Sequence, residues 1–316
     1  MRVIFFGTAE FATPSLRLLV NRHEIPLVVT RPSRPVGRAR LVKPPPVVAV
    51  ARSLRLPVIQ PDDINAEPVL DHLRSLRPDV LVAVAYGKKF NKPILSLAPA
   101  GVLNLHPSLL PLYRGASPIQ SAIAAGEVVT GITVIRMDTG IDSGPMLAQR
   151  EVAIEEEETA PRLSRRLAVE GAELLAQTLE KLQEGYEDAR PQDEERATFA
   201  PILKRNFADV DWQLPARRIF DQWRAYLGWP GLRTRVAGKS IKILECRLAD
   251  EIKLRVSPGK AKVRDGRIFV GTGDGLLEII TLQPAGRKPM SAQDFVLGYE
   301  NLLSQPWSGS ARKSAS

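Results

Sequence analysis

The chain has 316 residues, of which 44% are hydrophobic and 25% charged, and these ordinary globular values exclude wholesale disorder, a collagen repeat and a long coiled coil. One cysteine and three histidines exclude a disulfide framework, an iron–sulfur cluster and a Cys/His zinc site, so we expect chemistry without a metal. The net charge of +9 suits a polyanionic partner, although a solvated basic surface is the alternative explanation.

The first predicted element is a strand at Arg2–Gly7, close to the first residue of the chain. The apolar run Val3–Phe6 follows directly after Arg2, and this N-terminal segment is too short for a signal peptide. The longest apolar runs, such as residues 80–86, also fall short of the ~20 residues that cross a bilayer. We therefore expect a soluble protein of the cytoplasm.

The first half of the chain alternates short apolar runs with amphipathic stretches, as in β-α units on a parallel sheet. The predicted strands are Arg2–Gly7, Pro26–Thr30, Asp79–Gly87, Gly101–His106 and Gly131–Met137. The predicted helices are Pro14–Asn21, with Thr13 as its N-cap, Pro45–Leu54, Ala66–Leu76 and Pro118–Ala125. The pattern predicts an α/β protein with an N-terminal Rossmann-like, doubly wound sheet. Its ligands should lie beyond the carboxyl ends of the strands.

A long helical pattern with leucines at helical spacing runs from Thr159 to Gly185, and the glycine is a helix C-terminal signal. Residues 187–206 are polar and interrupted by prolines, which predicts a linker. We therefore divide the chain into a catalytic domain at 1–186, a linker at 187–206, a C-terminal domain at 207–305 and a disordered tail at 306–316.

Beyond the linker the pattern changes to one helix followed by short strands. Leu214–Tyr226 is predicted as a helix whose aromatic residues pack in the core. The strands are predicted at Leu232–Val236, Ser240–Arg247, Ala261–Val263, Arg267–Val270 and Leu276–Leu282. The glycine-rich segment Gly271–Gly275 is predicted as a hairpin turn. This pattern predicts a small C-terminal β-barrel, OB-like in type, or an open sheet, and one face of that sheet should be basic.

The positive charge is concentrated in this second part of the chain. Residues 1–189 carry 22 Lys and Arg against 21 Asp and Glu, a net +1, whereas residues 190–316 carry 22 against 14, a net +8. The first part therefore resembles a near-neutral enzyme domain and the second a domain that binds a polyanion.

The most informative segment is Asn104–Gly115, with the sequence NLHPSLLPLYRG. Alternation along the preceding strand places Asn104 and His106 on one face at its carboxyl end. An amide and an imidazole there form a plausible pair for an oxyanion, whereas a histidine satisfied within the core is the alternative.

A third partner is predicted in the segment Asp138–Gly144, with the sequence DTGIDSG. Two glycines allow a sharp bend that presents the Asp142 carboxylate beside a strand end. A calcium loop fits poorly, because Gly140 occupies a ligand position and no bidentate glutamate follows. A turn carboxylate is the other alternative. The trio Asn104, His106 and Asp142, without a nucleophilic Ser or Cys, indicates direct transfer between two bound substrates.

Both motifs, together with the intervening segment YRGASPIQ, resemble the folate-dependent formyltransferases. The resemblance covers residues 1 to about 305. The segments RPSRPVGRARLVKP at 31–44 and LQPAGRKPMSAQD at 282–294 resemble the members that act on initiator tRNA.

That resemblance implies formyl transfer from 10-formyltetrahydrofolate, a co-substrate, to methionyl initiator tRNA by a monomer that binds no membrane. It also implies that Asn104, His106 and Asp142 are catalytic. The residues implied in folate binding are Ser108, Leu109, Leu110 and Pro111, for which a tight structural turn is the alternative. The residues implied in tRNA binding are Arg31, Arg34, Arg38, Arg40 and Lys43, and we expect the segment from Arg31 to Lys43 to be mobile because like charges crowd it. An ordinary flexible surface loop is the alternative for this segment.

Two functions of other classes stay open. A formyltransferase for a small amine, such as a glycinamide or amino-sugar nucleotide, would explain only the first half of the chain. A non-catalytic RNA-binding protein would explain only the second half.

Overall fold

The computed structural model describes residues 1–36 and 41–309, and this part of the chain forms two compact units. The first unit comprises Met1–Pro118, Val129–Ala153 and Arg162–Ala200. The second unit comprises Ile119–Val128, Ile154–Pro161 and the described residues from Pro201 onward. Two short segments from within the first half of the chain therefore belong to the second unit.

The elements up to residue 200 are β1 (Arg2–Gly7), α1 (Thr13–Leu19), β2 (Glu24–Val29), β3 (Arg34–Val36), β4 (Leu41–Lys43), α2 (Pro46–Ser53), β5 (Val58–Ile59), α3 (Glu67–Ser75), β6 (Val80–Val84), α4 (Lys92–Leu95), β7 (Val102–His106), β8 (Arg114–Gly115), α5 (Pro118–Ala125), β9 (Val129–Arg136), β10 (Met146–Ala153), α6 (Ala160–Gln183) and β11 (Phe199–Ala200). Those that follow are α7 (Ala216–Tyr226), β12 (Leu232–Val236), β13 (Lys239–Leu248), β14 (Ala261–Arg264), β15 (Arg267–Gly271), β16 (Leu276–Pro284), β17 (Met290–Ser291), α8 (Ala292–Gly298), α9 (Glu300–Leu303) and β18 (Trp307–Ser308). Short 3-10 helices occur at Glu10–Ala12, Glu194–Arg196 and Arg205–Ala208. No helix in the described part of the chain is long and apolar enough to span a membrane.

The main sheet of the first unit has the strand order β5-β2-β1-β6-β7-β9-β10. The five strands from β5 to β7 run parallel, and β9 and β10 are antiparallel to their neighbours. The chain first builds outward from β1 to β5 and then returns to add β6 and β7 on the other side. This reversal confirms the predicted α/β sheet and places a topological switch point between β1 and β6.

The central parallel strands β1 and β6 form where the sequence has uninterrupted apolar runs. Every residue of β6 is buried, and β1 is buried from Val3 to Gly7. Strands covered on both faces need such continuous apolar runs, because neither face meets water. The core of the first unit therefore lies on both sides of these central strands.

Three features differ from the predictions. The predicted disordered tail at 306–316 begins too early, because Trp307 is buried in the core of the second unit and its strand β18 pairs with β12. Thr13 is the first residue of α1 rather than its N-cap, and its hydroxyl donates to the Glu10 carbonyl of the preceding 3-10 turn. Strand β10 was not predicted, because all its residues except Val152 are half-buried or exposed and they lack a clean apolar alternation. It is an edge strand, so only one side of it is paired in the sheet.

The second unit is built on an antiparallel sheet with the order β14-β15-β16-β13-β12-β18, to which β17 adds on β16. The hairpin between β15 and β16 pairs Gly271 with Leu276, which confirms the predicted turn. Helix α7 buries Ile219 and Phe220 in the core of this unit, as the aromatic spacing predicted. Along β12, buried residues alternate with Arg233 and Arg235, so the strand presents its arginines on the outer side.

Candidate active site

Strand β7 carries two polar side chains on one face near its carboxyl end. Asn104 is half-buried and His106 is almost fully buried. A period of two residues along a strand places both on the same side of the sheet. They lie at the carboxyl edge of the parallel strands, where ligands of such sheets bind.

Asp142 joins these two residues from the loop between β9 and β10. Its Oδ1 accepts a hydrogen bond from Asn104 Nδ2 at 3.3 Å. Its Oδ2 accepts from the Gly115 backbone N–H at 2.9 Å and lies 3.5 Å from His106 Nδ1. The structure therefore brings Asn104, His106 and Asp142 together around one carboxylate.

The His106 ring lies between two hydrogen-bond acceptors. Its Nδ1 faces the Asp142 carboxylate, and its Nε2 lies 3.0 Å from the Tyr113 carbonyl oxygen. A neutral ring can donate to only one of these acceptors, whereas the protonated ring can donate to both. Because Nε2 already lies within hydrogen-bond distance of the Tyr113 carbonyl, it must share or leave that carbonyl to donate to a substrate oxygen.

The loop that carries Asp142 is tightly folded. The Asp138 carboxylate accepts from the Gly140 N–H at 2.9 Å and from the Ser143 hydroxyl at 2.8 Å. A Cβ atom on Gly144 would overlap the Arg136 carbonyl oxygen. Glycine at this position lets the loop pack closely against the end of β9, and this packing places Asp142 beside Asn104 and His106.

We expect the substitution Gly144→Ala to disturb the site through this overlap. Overpacking of this kind costs about 1–3 kcal/mol, which corresponds to a fall of several degrees in melting temperature. Gly298→Ala is the control, because in the described part of the chain no atom outside its own helix turn and chain neighbours lies within 4 Å of a Cβ at Gly298. Thermal unfolding of both variants checks this. Equal melting temperatures would show that the loop adapts without cost.

The predicted folate residues form a turn packed on β9. Ser108, Leu110 and Pro111 are buried, and the Ser108 hydroxyl donates to the Leu112 carbonyl at 2.6 Å. The Leu110 N–H donates to Thr133 Oγ1 at 3.2 Å, and Leu109 packs against Gly131. These contacts fit the structural-turn explanation, and folate binding by the four residues stays a prediction.

The predicted tRNA segment begins and ends in a two-stranded antiparallel hairpin. Strands β3 and β4 pair Arg34 with Lys43. The prediction of a mobile segment did not include this pairing. Arg31 precedes the hairpin, and its carbonyl accepts from Gln60 Nε2 at 2.7 Å. Arg38 and Arg40 lie outside the described residues.

Three residues that support the site were not assigned a role from the sequence. Arg114 is buried, and its guanidinium donates to both carboxylate oxygens of Glu194, at 2.8 and 2.7 Å. Hydrogen bonding from Arg114 lowers the pKa of Glu194. Gln192 donates to the backbone of the loop that holds Asp142. Gln192 and Glu194 lie in the predicted linker, where a polar sequence carries no signal of a long-range contact.

Comparison with known proteins assigns both parts of the chain to one family. The family model for formyl transferase matches residues 1–179, and the model for the formyl transferase C-terminal domain matches residues 202–300. The methionyl-tRNA formyltransferase of Pelobacter propionicus is 42% identical over 94% of this chain and 92% of its own length. That of Acidobacterium capsulatum is 44% identical over 94% of this chain and 96% of its own length.

A solved structure shares the fold at low identity. It is the N-formyltransferase from Helicobacter canadensis in complex with folinic acid and dTDP-3-aminofucose. Its TM-score is 0.68 at 17% identity, over 88% of this chain and 98% of that chain.

Proposed function

Because the chain belongs to the methionyl-tRNA formyltransferase family, we propose that it transfers a formyl group from 10-formyltetrahydrofolate to the α-amine of methionyl initiator tRNA. The product serves translation initiation. The observation that carries the proposal is the Asp142 carboxylate, which contacts both Asn104 and His106 at the carboxyl edge of the sheet. This group of residues suits acyl transfer without a covalent enzyme intermediate.

In the first step, the methionine α-amine attacks the formyl carbon of the co-substrate. A new C–N bond forms and the carbonyl oxygen becomes an oxyanion. Asn104 donates one amide hydrogen to Asp142, which leaves its second amide hydrogen for that oxygen. His106, protonated or as a neutral ring that can donate, is the second donor to the oxyanion once Nε2 shares or leaves the Tyr113 carbonyl.

In the second step, the bond between the formyl carbon and N10 of the folate breaks as the oxyanion collapses. The proton lost by the amine goes to N10, so no net proton is released. Asp142 holds His106 in one orientation and, through the ring, assists this proton transfer. The Gly115 N–H keeps the carboxylate in place at 2.9 Å.

The second unit supplies the surface for the tRNA backbone in this proposal. Arg235, Lys239 and Lys242 are exposed on β12 and β13, and within the described residues none of these side chains forms an ion pair. Unpaired cations on one strand pair suit phosphate binding, which requires no reading of bases.

We propose that the antiparallel sheet of the second unit is an OB-like barrel. The Gly259 N–H donates to the Gly271 carbonyl, and the Gly259 carbonyl accepts from the Trp307 N–H at 2.7 Å. Gly259 thereby connects β15 to β18, the last strand of the sheet order. We keep the proposed domain boundaries, with the catalytic domain ending at residue 186 and the C-terminal domain beginning at residue 207. We also propose that the protein is a monomer and acts in the cytoplasm.

The segment from Arg31 to Lys43 is proposed to close over the acceptor end of the tRNA. It holds five basic residues and no acidic one, and it leaves β2 at the carboxyl edge of the sheet. We expect trypsin to cut after Arg38 or Arg40 in the free enzyme and initiator tRNA to protect these bonds.

Arg38→Glu and Arg40→Glu should reduce transfer to tRNA more than Ala at the same positions, because Glu repels phosphate. Folate binding by these variants is the control. Cleavage that saturating tRNA leaves unchanged, together with full transfer by the Glu variants, contradicts this role.

The proposed function is tested by transfer from labelled 10-formyltetrahydrofolate to methionyl initiator tRNA, with uncharged tRNA as the control. We expect label on the methionine α-amine and none on uncharged tRNA. Absence of label on the charged tRNA contradicts the proposal. Label on an amino-sugar nucleotide instead assigns a small-molecule acceptor.

A further inference from the structure

We propose that Gln192 is a positioning residue that holds Asp142 in its catalytic conformation, and that Arg114 and Glu194 fix Gln192 in turn. The inference rests on the proposed function, because it assigns Gln192 a part in the same reaction. The Gln192 side chain bonds to the backbone that carries Asp142, so it acts on the Asp142 carboxylate through that backbone.

The Gln192 amide is fully used in this arrangement. Its Nε2 donates to the Asp142 carbonyl at 2.7 Å and to the Gly144 carbonyl at 2.8 Å. An amide nitrogen has two hydrogens, and each has one acceptor here. The side chain is 9% exposed, so water does not easily replace it.

The orientation of this amide is set by Arg114. Arg114 Nε donates to Gln192 Oε1 at 3.0 Å, while its two terminal nitrogens bind Glu194. A guanidinium presents its donors in one fixed plane, so the pair with Glu194 determines where Nε points. Because Oε1 is held by a donor, Nε2 must face the two carbonyls.

Asp142 needs this support because of its backbone. Its φ angle is +51°, a left-handed conformation that is uncommon outside glycine and that aspartate adopts more readily than most residues. Such conformations persist where surrounding contacts determine them, and they concentrate at functional sites. Gln192 bonds the carbonyls of Asp142 and Gly144, two residues apart, and so constrains the turn between them.

The segment around Gln192 is itself anchored at both ends in the first unit. Arg190 and Met146 exchange two backbone hydrogen bonds, at 2.8 and 2.9 Å. Farther along, the Thr198 hydroxyl accepts from the Tyr113 N–H at 2.8 Å, and β11 pairs with β8. Gln192 therefore reaches Asp142 from a fixed backbone rather than from a free connection.

The test compares Gln192→Ala and Gln192→Glu with the control Gln177→Ala in the full-length protein. Gln192→Ala removes both donors, and Gln192→Glu turns a carboxylate toward two carbonyl oxygens. We expect kcat for formyl transfer to fall ~10–100-fold in both, because small displacements of a catalytic group have effects of this size. The KM for 10-formyltetrahydrofolate should change little. Gln177 lies on α6, and among the described residues its side chain accepts one hydrogen bond, from Arg150, so its variant should keep the wild-type kcat.

A double variant separates positioning from general stability. If Gln192 acts through Asp142, adding Gln192→Ala to Asp142→Asn should lower kcat by no more than a factor of about two. A full further loss of 10-fold or more in the double variant overturns the proposal.

The imidazole nitrogen resonances of His106 give a readout that needs no substrate. The chain has three histidines, and His106→Ala assigns the signals. We expect Gln192→Ala to move the His106 signals in the same direction as Asp142→Asn, with Gln177→Ala unchanged. This readout keeps its meaning if methionyl-tRNA proves not to be the acceptor, so failure of the proposed function and failure of the inference are distinguishable.

The proposal is overturned by His106 signals in folded Gln192→Ala and Gln192→Glu that match the wild type. It is also overturned if the loss of activity in the Gln192 variants is fully explained by a lower melting temperature. If Gln192→Ala does not fold, the Gln192→Glu variant decides the outcome by the same two measurements.

Discussion

Asn104→Ala, His106→Ala and Asp142→Asn should each lower the turnover of formyl transfer by ~10²–10³-fold, with the affinity for initiator tRNA nearly unchanged. Removing Asn104 or His106 takes a donor from the oxyanion, which exists only near the transition state. Asp142→Asn keeps the shape of the side chain but removes the charge opposite His106, as well as one acceptor for Asn104 or Gly115.

The three losses should not add, because the residues act as one connected group. The matched control is His72→Ala, since His72 is an exposed histidine on α3. Single-turnover transfer and tRNA binding measured on the same variants separate chemistry from affinity. Near-normal turnover of Asp142→Asn would remove Asp142 from the mechanism.

The triple variant with Arg235, Lys239 and Lys242 changed to Ala should bind initiator tRNA at least ~10-fold more weakly near physiological salt. Each lost phosphate contact also makes the salt dependence of binding shallower by about one unit in the log–log slope. Folate binding should stay at the wild-type level. Titrations at several salt concentrations measure both effects.

The control for this variant changes Arg17, Arg77 and Lys181 to Ala. Arg17 lies in the last turn of α1 before β2, and Arg77 precedes β6. The end of α6 near Lys181 contacts Met1 through Gln183, so these cations lie toward the amino edge of the sheet. If the control variant reduces the log–log salt slope of tRNA binding as much as the Arg235, Lys239 and Lys242 variant does, a specific tRNA surface on the second unit is contradicted.

The proposal that the second unit binds tRNA while the first carries out the chemistry is tested better by charge variants than by a deletion of residues 207–316. Segments 119–128 and 154–161 belong to the second unit and would lose their packing. The buried Arg224, for example, donates to the carbonyls of Glu155 and Glu158 at 3.3 Å. After a deletion these carbonyls would lose a buried donor, and a folding defect would be read as a binding defect.

The sheet of the first unit was largely predictable, because its central strands are continuous apolar runs bounded by turns. Strand β1 and helix α5 were predicted with the bounds that the structure has. The edge strand β10 was not predicted, since half-buried polar residues on an edge carry little periodicity. Thr13 was misassigned because a 3-10 turn precedes α1, and no local pattern announced it.

The trio of the candidate site was predictable for a similar reason. Asn104 and His106 share a strand, so a period of two residues places them together, and glycines mark the loop of Asp142. The support of the trio was not predictable. Gln192 and Asp142 are 50 residues apart, and Arg114 meets Glu194 across 80 residues. Contacts of that kind depend on the tertiary fold and leave no periodic signal in a polar segment.

The most direct test of the account is a competition in one reaction mixture. Labelled 10-formyltetrahydrofolate is supplied with methionyl initiator tRNA, free methionine and an amino-sugar nucleotide, and the label on each acceptor gives the ratio of the kcat/KM values. The account predicts that nearly all label is on methionyl initiator tRNA and that Asp142→Asn lowers the rate of labelling ~10²–10³-fold without changing the preference. Label distributed equally among the amines, or mainly on the nucleotide, would contradict the account.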